Sequence, residues 1–542
     1  MQGLMMDYPL TLTHILERGR RLFPRKQIVT KTATGLHRYT YADMYERAGR
    51  LANALRQLDV SADGRVATFA WNTYRHLEIY FAAPCSGRVL HTLNIRLFPE
   101  QVVYIANHAE DEVVFVDASL LPALEKLAPQ LTTVRHYVVM ADGAMPETTL
   151  PNAISYEELL ASAPPEYSWP NIDENSACAM CYTSGTTGHP KGAVYSHRSM
   201  FLHSFSECMA DSFGVRESDV VLPVVPMFHA NAWGLPYAAT LVGAKQVFPG
   251  PFLDGKSLAE LIQSERVTIP AGVPTIWMGL LQVLEKESYD ISSIRAMPVG
   301  GSAVPRSMLE RYQKQFGAYI AHAWGMTEMS PLGTVSNLKS HMQEWPEEDR
   351  FAVRAKQGTT VPGVDARVVD IEGRELPWDG QSFGELQVRG PWVISGYYHD
   401  ERGADSFQDG WFRTGDVATI DAEGYIQIVD RTKDLVKSGG EWISTVDLEN
   451  EIMAHPQVLE AAVIAVPHPR WQERPLACVV PRPEAQDRLS PGEILAFLSS
   501  RVAKWQLPDE VIFIESVPKT SVGKFDKKVL RERFKDYQLP DQ

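Results

Sequence analysis

Long apolar runs are missing from this chain: no stretch approaches the ~20 residues that a membrane-spanning helix needs. The N-terminus also lacks a basic segment followed by an apolar one, so no secretory leader is expected and the chain is read as cytoplasmic. Cysteine is scarce, with five in 542 residues (Cys85, Cys178, Cys181, Cys208 and Cys478). An odd, sparse set argues against a disulfide framework. Cys178 and Cys181 form a C-x-x-C, but no second pair stands nearby and "SACAMCYTS" reads as an apolar strand. Both are therefore assigned to the core rather than to a metal or redox centre. Positive charge is short too: 52 Lys and Arg stand against 67 Asp and Glu, a net charge of −15. Such a chain repels phosphate backbones, which argues against a nucleic-acid partner but leaves room for a local basic pocket. Three signatures are absent as well: the Walker loop G-x-x-x-x-G-K-[ST], the dinucleotide fingerprint G-x-G-x-x-G and the serine-hydrolase elbow G-x-S-x-G.

What remains is an ordinary globular composition, 44% hydrophobic and 22% charged, in a chain too long for one domain of ~100–200 residues. "RVATFAW" (65–71), "EVVFVD" (112–117), "RHYVVM" (135–140), "DVVLPVVPMF" (219–228) and "IRAMPVGG" (294–301) are near-continuous apolar strands. They alternate with helical patterns, as in parallel sheets covered on both faces. After about residue 360 the texture changes to short alternating strands split by Gly and Asp turns, "VDARVVDIEG", "GELQVRG" and "GYIQIVDR", which indicates a small antiparallel barrel or sheet. A last block opens at Asp430. In it "STVDLENEIMAHP" reads as a helix started by Ser444 and Asp447 and stopped by Pro456. "SPGEILAFLSSRVAKWQLP" reads as another, with Ser490 as N-cap, Pro491 in the first turn and Glu493 three residues on.

The stretch "CYTSGTTGHPKGAVYSH" (181–197) carries the chemistry of anion binding. Gly185 and Gly188 let backbone N–H groups approach closely, Thr183, Ser184, Thr186 and Thr187 offer hydroxyl donors, and Lys191 adds a point charge. A helical pattern follows, so the loop is read as a strand–loop–helix junction, where open α/β sheets bind ligands.

"YTSGTTGHPKG" (182–192) resembles the phosphate-loop signature of the adenylate-forming enzymes: acyl-CoA synthetases, luciferases and the adenylation domains of peptide synthetases. Further segments resemble that family's motifs in its order: "PMFHANAW" (226–233), "VGGSAVP" (299–305), "WGMTE" (324–328), "WFRTGD" (411–416), "DRTKDLVKSGGEWIS" (430–444) and "PKTSVGK" (518–524). The resemblance spans essentially the whole chain. It implies an α/β fold with a large N-terminal domain, residues 1–429, built of two α/β subdomains and a small β-barrel-like subdomain. A small mobile α+β C-terminal domain, residues 430–542, would follow, hinged at Asp430.

The same resemblance implies the activity: ATP and a carboxylic acid give an acyl-adenylate and pyrophosphate, and coenzyme A then takes the acyl group as its thioester. The loop 183–191 would grip the ATP phosphates. Glu328 and Thr183 would hold Mg²⁺, Thr327 would touch the α-phosphate, Trp324 would stack on adenine, and Asp416 with Arg431 would fix the ribose. Ser302, His322, Ala323 and Lys433 complete the implied nucleotide set. Lys524 is the implied catalytic cation, and His229 a pocket residue beside the carboxylate. Ala230, Trp233, Gly300, Gly301 and Pro331 are implied on the acid side. Lys437, Ser438, Gly439, Gly440, Glu441 and Trp442 are implied for coenzyme A. Amino-acid-activating relatives carry an Asp after the Phe that is Phe228 here. His229 stands in its place, so an α-amino acid is disfavoured. No carrier domain follows the C-terminal block, which makes free coenzyme A the expected acceptor. The finer match is to bacterial medium- and long-chain fatty-acid–CoA ligases, with 3-methylmercaptopropionate–CoA ligases nearly as close. Some relatives of this subgroup are dimers joined through the large domain, which extends to a homodimer here.

Overall fold

The computed structural model describes residues 1, 3–183, 190–370, 372–431, 434–438, 441–486, 488–520, 525–535 and 537–539, with backbone only at 401, 402, 441 and 442. Among them, the apolar runs become strands buried on both faces, as parallel sheets require. His136–Met140, Asp111–Asp117, Arg65–Phe69 and Val89–Thr92 run parallel within a seven-stranded sheet, closed at one edge by Ala153–Ser155. At the other edge Ala177–Tyr182 pairs parallel with Val89–Thr92 and antiparallel with Gly192–Ser196. The hydroxyl-rich loop therefore sits inside a β-hairpin rather than at a strand–helix junction. The helix His197–Cys208 begins only after the second strand. Val194 and Tyr195 carry the strand propensity that extends the hairpin. The cysteines are free and all but Cys208 are buried, with Cys178 and Cys181 in the hairpin's first strand.

A second sheet runs Ile269–Ala271, Val220–Pro223, Lys245–Phe248, Gln27–Thr32 and Gly35–Thr40, parallel except for its last pair. The apolar run 219–228 yields only the four-residue strand ending at Pro223, because prolines at 223 and 226 withhold ladder donors. A bridge from Gly272 to Val299 carries this sheet on into Met297–Val299, Ile320–Gly325, Leu332–Val335 and Thr359–Thr360. The strands Val220–Pro223, Ile269–Ala271, Met297–Val299 and Ile320–Gly325 thus end in one crevice, where ligands bind open α/β sheets.

The five strands between Asp365 and Arg431 pair only antiparallel, forming the small unit expected after residue 360. The C-terminal unit is a further mixed sheet, centred on Val458–His468 and Gln472–Pro481, with helices Thr445–Met453, Pro491–Ser499 and Lys527–Arg533. Its caps follow the sequence reading. Ser444 Oγ accepts the Asp447 N–H at 3.0 Å. Ser490 and Glu493 exchange both capping-box bonds, at 2.8 and 3.3 Å. Among the described residues no helix is long and apolar enough to cross a membrane.

Candidate active site

A cavity of about 680 Å³ opens where the carboxyl ends of the second sheet face the C-terminal unit. It gathers residues from far-separated parts of the chain: Thr183 and Lys191 from the hairpin, Gly300, Gly301 and Ser302 after Met297–Val299, and Asp416 with Arg431 from the antiparallel sheet. His229, Trp233, His322, Ala323, Trp324, Thr327, Glu328 and Pro331 line it as well. Ala230 is buried one residue away and is not part of the lining. Lys437 and Ser438 lie elsewhere: the Lys437 N–H donates to Glu473 at 2.8 Å, and Ser438 Oγ accepts from Arg474 at 2.9 Å. Ser184, Gly185, Thr186, Thr187, Gly188, Lys433, Gly439, Gly440 and Lys524 lie outside the described residues, as do the side chains of Glu441 and Trp442.

At one end of the cavity both oxygens of the Asp416 carboxylate are engaged. Arg431 Nε lies 2.7 Å from Oδ1, and the Trp324 indole N–H donates to Oδ2 at 2.9 Å. The carboxylate raises the Arg431 pKa further above its ordinary value. Each oxygen keeps a second lone pair for a ligand hydroxyl. Trp324 is seated by Gly333, where an added Cβ would fall 2.7 Å from the indole. His322 stays neutral, because burial pushes its pKa down to about 4. Its Nδ1–H donates to the Ala355 carbonyl at 3.0 Å.

The middle of the cavity is polar. The hairpin is pinched at the base of its loop, with the Thr183 N–H donating to the Lys191 carbonyl at 2.9 Å. Lys191 Nζ sits 4.6 Å over the ring of Tyr397, whose hydroxyl donates to Glu328 Oε1 at 2.8 Å. Glu328 is 7% exposed and forms no ion pair among the described residues, and burial pushes its pKa up. A buried carboxylate, with the Thr183 hydroxyl lining the same cavity, fits a hard cation. Among the described residues no group of three or more His, Cys, Asp or Glu could cage a metal alone.

The other end is apolar: Phe213, Val225, Trp233, Val273 and Leu332 line it and belong to one packed cluster. Trp233 is carried by an unusual turn. Ala230, Asn231, Ala232 and Trp233 all have left-handed backbone, φ 41° to 58°, and Gly234 follows at 80°. Each such non-glycine residue costs roughly 1–2 kcal/mol, so the surroundings must hold the turn. Behind it His203 Nε2 accepts the Leu332 N–H at 3.1 Å, and Nδ1 faces Glu207 at 4.0 Å. Both side chains are fully buried. Burial pushes the His203 pKa down to about 3 and the Glu207 pKa far up, so the pair is neutral.

Several lining residues carry no local sequence signal. Tyr397 is linked to Glu328 only through the fold. Glu449 and Lys527 pair at 2.7 Å on the C-terminal side of the cavity, next to Thr520 and Phe525, which flank residues 521–524. Asp430, the expected hinge, accepts from Arg431 N, Thr445 N and Thr445 Oγ1 at 2.7, 2.8 and 2.5 Å. Its three bonds explain why a carboxylate is tolerated at 1% exposure.

Residues 16–398 match the AMP-binding enzyme family, and residues 447–524 match the AMP-binding enzyme C-terminal domain. The chain is 52% identical over 536 residues to a long-chain-fatty-acid–CoA ligase of Thermus thermophilus, covering 98% of this chain and 97% of that protein. It is 46% identical over 540 residues to a 3-methylmercaptopropionyl-CoA ligase of Ruegeria lacuscaerulensis, covering 99% of each. It is 44% identical over 541 residues to a medium-chain-fatty-acid–CoA ligase of Ectopseudomonas oleovorans, covering 99% of this chain and 98% of that protein.

Proposed function

Because the chain belongs to the AMP-binding enzyme family, as an AMP-forming acyl-CoA ligase, we propose that its acid is a fatty acid, of medium chain length. The observation that carries this reading is the apolar end of the cavity. Val225, Trp233, Val273 and Leu332 offer methyl and ring surface, and His229, not an Asp, follows Phe228, so no carboxylate there awaits a substrate ammonium. Two relatives of near full length act on fatty acids by name.

In the first half-reaction a carboxylate oxygen of the acid attacks the α-phosphorus of ATP, and pyrophosphate leaves. Both partners are anions, so catalysis rests on positioning and charge stabilisation. Asp416 and Arg431 fix the ribose and Trp324 supplies a platform for adenine. Lys191 and the loop it closes take the β- and γ-phosphates, and Thr327 with Lys524 meets the reacting phosphate. Glu328 and Thr183 would hold Mg²⁺, which when bound would supply positive charge against the phosphates. In the second half-reaction the thiol of coenzyme A attacks the acyl carbonyl and AMP leaves. The segment Lys437–Trp442 serves that step after the C-terminal unit turns about Asp430. Assembly as a homodimer through the large domain belongs to the same reading and is checked by light scattering.

A panel of acids, from butanoate to hexadecanoate together with 3-methylmercaptopropionate, assayed with ATP, Mg²⁺ and coenzyme A, tests the assignment. A maximum in kcat/KM near octanoate is expected. The second reading, a short sulfur-containing acid, is favoured by the 46% identity to the Ruegeria ligase. A maximum at 3-methylmercaptopropionate would replace the first reading with it. Absence of ATP–pyrophosphate exchange with every acid would overturn both.

A further inference from the structure

A second cavity, of about 460 Å³, lies behind the acyl end of the site. Among the described residues Phe213 alone lines both cavities. It is 3% exposed and packs in the same apolar cluster as Val225, Trp233 and Val273. Its main chain is pinned from the far side. Arg295 donates to the Phe213 and Gly214 carbonyls at 3.5 and 2.6 Å while paired with Asp219 at 2.6 Å. The Asn337 amide donates to the carbonyls of Asp211 and Ser212 at 2.9 and 3.2 Å. The turn that presents Phe213 is thus held at four consecutive carbonyls by two side chains, both of which line the second cavity.

The chemistry changes across this partition. The acyl side is hydrocarbon, whereas on the far side three arginines, Arg295, Arg350 and Arg354, outnumber two carboxylates, Asp211 and Glu347, and Glu347 is already paired with Lys314 at 2.5 Å. Arg354 is 3% exposed and lies 4.2 Å over the Tyr319 ring. It donates to Gln313 and to the Ile320 carbonyl, but its Nε has no partner and no carboxylate among the described residues pairs with it. The Nε of Arg350 is likewise buried without a partner. A buried guanidinium that lacks an anion and borders a cavity favours a carboxylate there.

We propose that Phe213 is the specificity-determining floor of the acyl pocket, and that its ring shuts the acid's tail out of a cationic chamber able to take an ω-carboxylate. Resting on the fatty-acid reading above, this inference states what limits the chain. A monoacid that reaches Phe213 has no further apolar surface to gain. An α,ω-diacid finds its partner only when the ring is removed.

The test compares kcat/KM for butanoate, octanoate, dodecanoate and dodecanedioate in the wild type, Phe213→Ala and Phe213→Trp. Phe213→Ala is expected to raise the dodecanoate-to-octanoate ratio on the order of tenfold or more, the scale on which pockets discriminate chain length. It is expected to raise dodecanedioate further than dodecanoate. Phe213→Trp is expected to move the optimum toward butanoate, and it carries the test if the alanine variant folds poorly. Chain-length ratios unchanged in a folded variant would overturn the floor, and a diacid that gains no more than the monoacid would overturn the cationic chamber. A wild-type optimum away from medium-chain acids would count against the earlier reading instead. Phe213 would still be judged by whether that optimum moves with the size of residue 213.

Discussion

Trp324 reaches the ribose-side carboxylate only because residue 333 has no side chain. The indole N–H donates to Asp416 at 2.9 Å, and a Cβ on Gly333 would press on the ring at 2.7 Å. Hydrogen bonds to charged groups contribute about 1.5–3 kcal/mol. Gly333→Ala is therefore expected to raise the KM for ATP by roughly tenfold to a hundredfold, with a much smaller change in the KM for the acid. Equal changes in both would show that the residue serves the fold rather than the nucleotide. A second single-residue effect is visible in pH. Asp117, at the end of the strand Asp111–Asp117, accepts the Trp71 N–H, and burial pushes its pKa up to about 7. The unfolded chain releases that proton near pH ~4. The protonated carboxyl therefore favours the fold at low pH, and the benefit, on the order of a few kcal/mol, is lost between pH ~4 and ~7 as pH rises. Asp117→Asn keeps an acceptor for Trp71 and removes the titration. The difference in Tm between variant and wild type should grow in the variant's favour from pH 5 to pH 8. A difference that does not vary with pH would rule this out.

At the scale of elements, the turn Ala230–Gly234 joins local strain to substrate choice. Four left-handed non-glycine residues aim Trp233 into the cavity, and Gly234 lets the turn close against His203. A Cβ there would lie 2.6 Å from His203 Nδ1, at a φ of +80° that side chains resist. Gly234→Ala should cost about 2 kcal/mol or more in stability. It should also raise the KM for the acid well above any change in the KM for ATP; thermal melts and steady-state kinetics together check this. Nothing in "FHANAWG" announces a left-handed turn, because alanine and tryptophan are poor candidates for that conformation. Glu328, Asp416, Arg431, Thr183 and Lys191, singled out from motifs far apart in the sequence, line one cavity; the roles given them belong to the proposed function. Helix starts were legible too, since Ser444 and Ser490 satisfy local N–H groups within one turn. The hairpin around the hydroxyl-rich loop was misplaced as a strand–helix junction, because its second strand is short and precedes a strong helical pattern. Tyr397 and Phe213 escaped notice because each matters through a partner or a wall that only tertiary packing supplies.

For the whole molecule, the cavity has walls on two units, and the two C-terminal segments implied in the chemistry do not share it. Thr520, Phe525 and Lys527 line it, whereas Lys437 and Ser438 are tied to Glu473 and Arg474 at a different place on the C-terminal sheet. A rigid arrangement of this kind can bring one segment to the reacting atoms but not both. On the function proposed above, two half-reactions at one adenylate call for two placements of the C-terminal unit. Asp430 sits where the two units join: it is laddered to Val417 in the antiparallel sheet, and its carboxylate accepts from Thr445 in the first helix of the C-terminal unit. A turn near this point leaves the Arg431–Asp416 pair in place only if the backbone rotates beyond Arg431. The placement described here, with the neighbours of residues 521–524 at the cavity, suits the first half-reaction. Lys524→Ala should then lower acyl-adenylate formation by a hundredfold or more, the scale on which one charge-stabilising group acts. Thioester formation from supplied acyl-adenylate and coenzyme A should stay within severalfold of wild type, because that step uses the other placement. Pyrophosphate exchange measures the first half-reaction and acyl-CoA release from synthetic adenylate the second. Parallel loss of both would mean that a single placement serves the whole reaction.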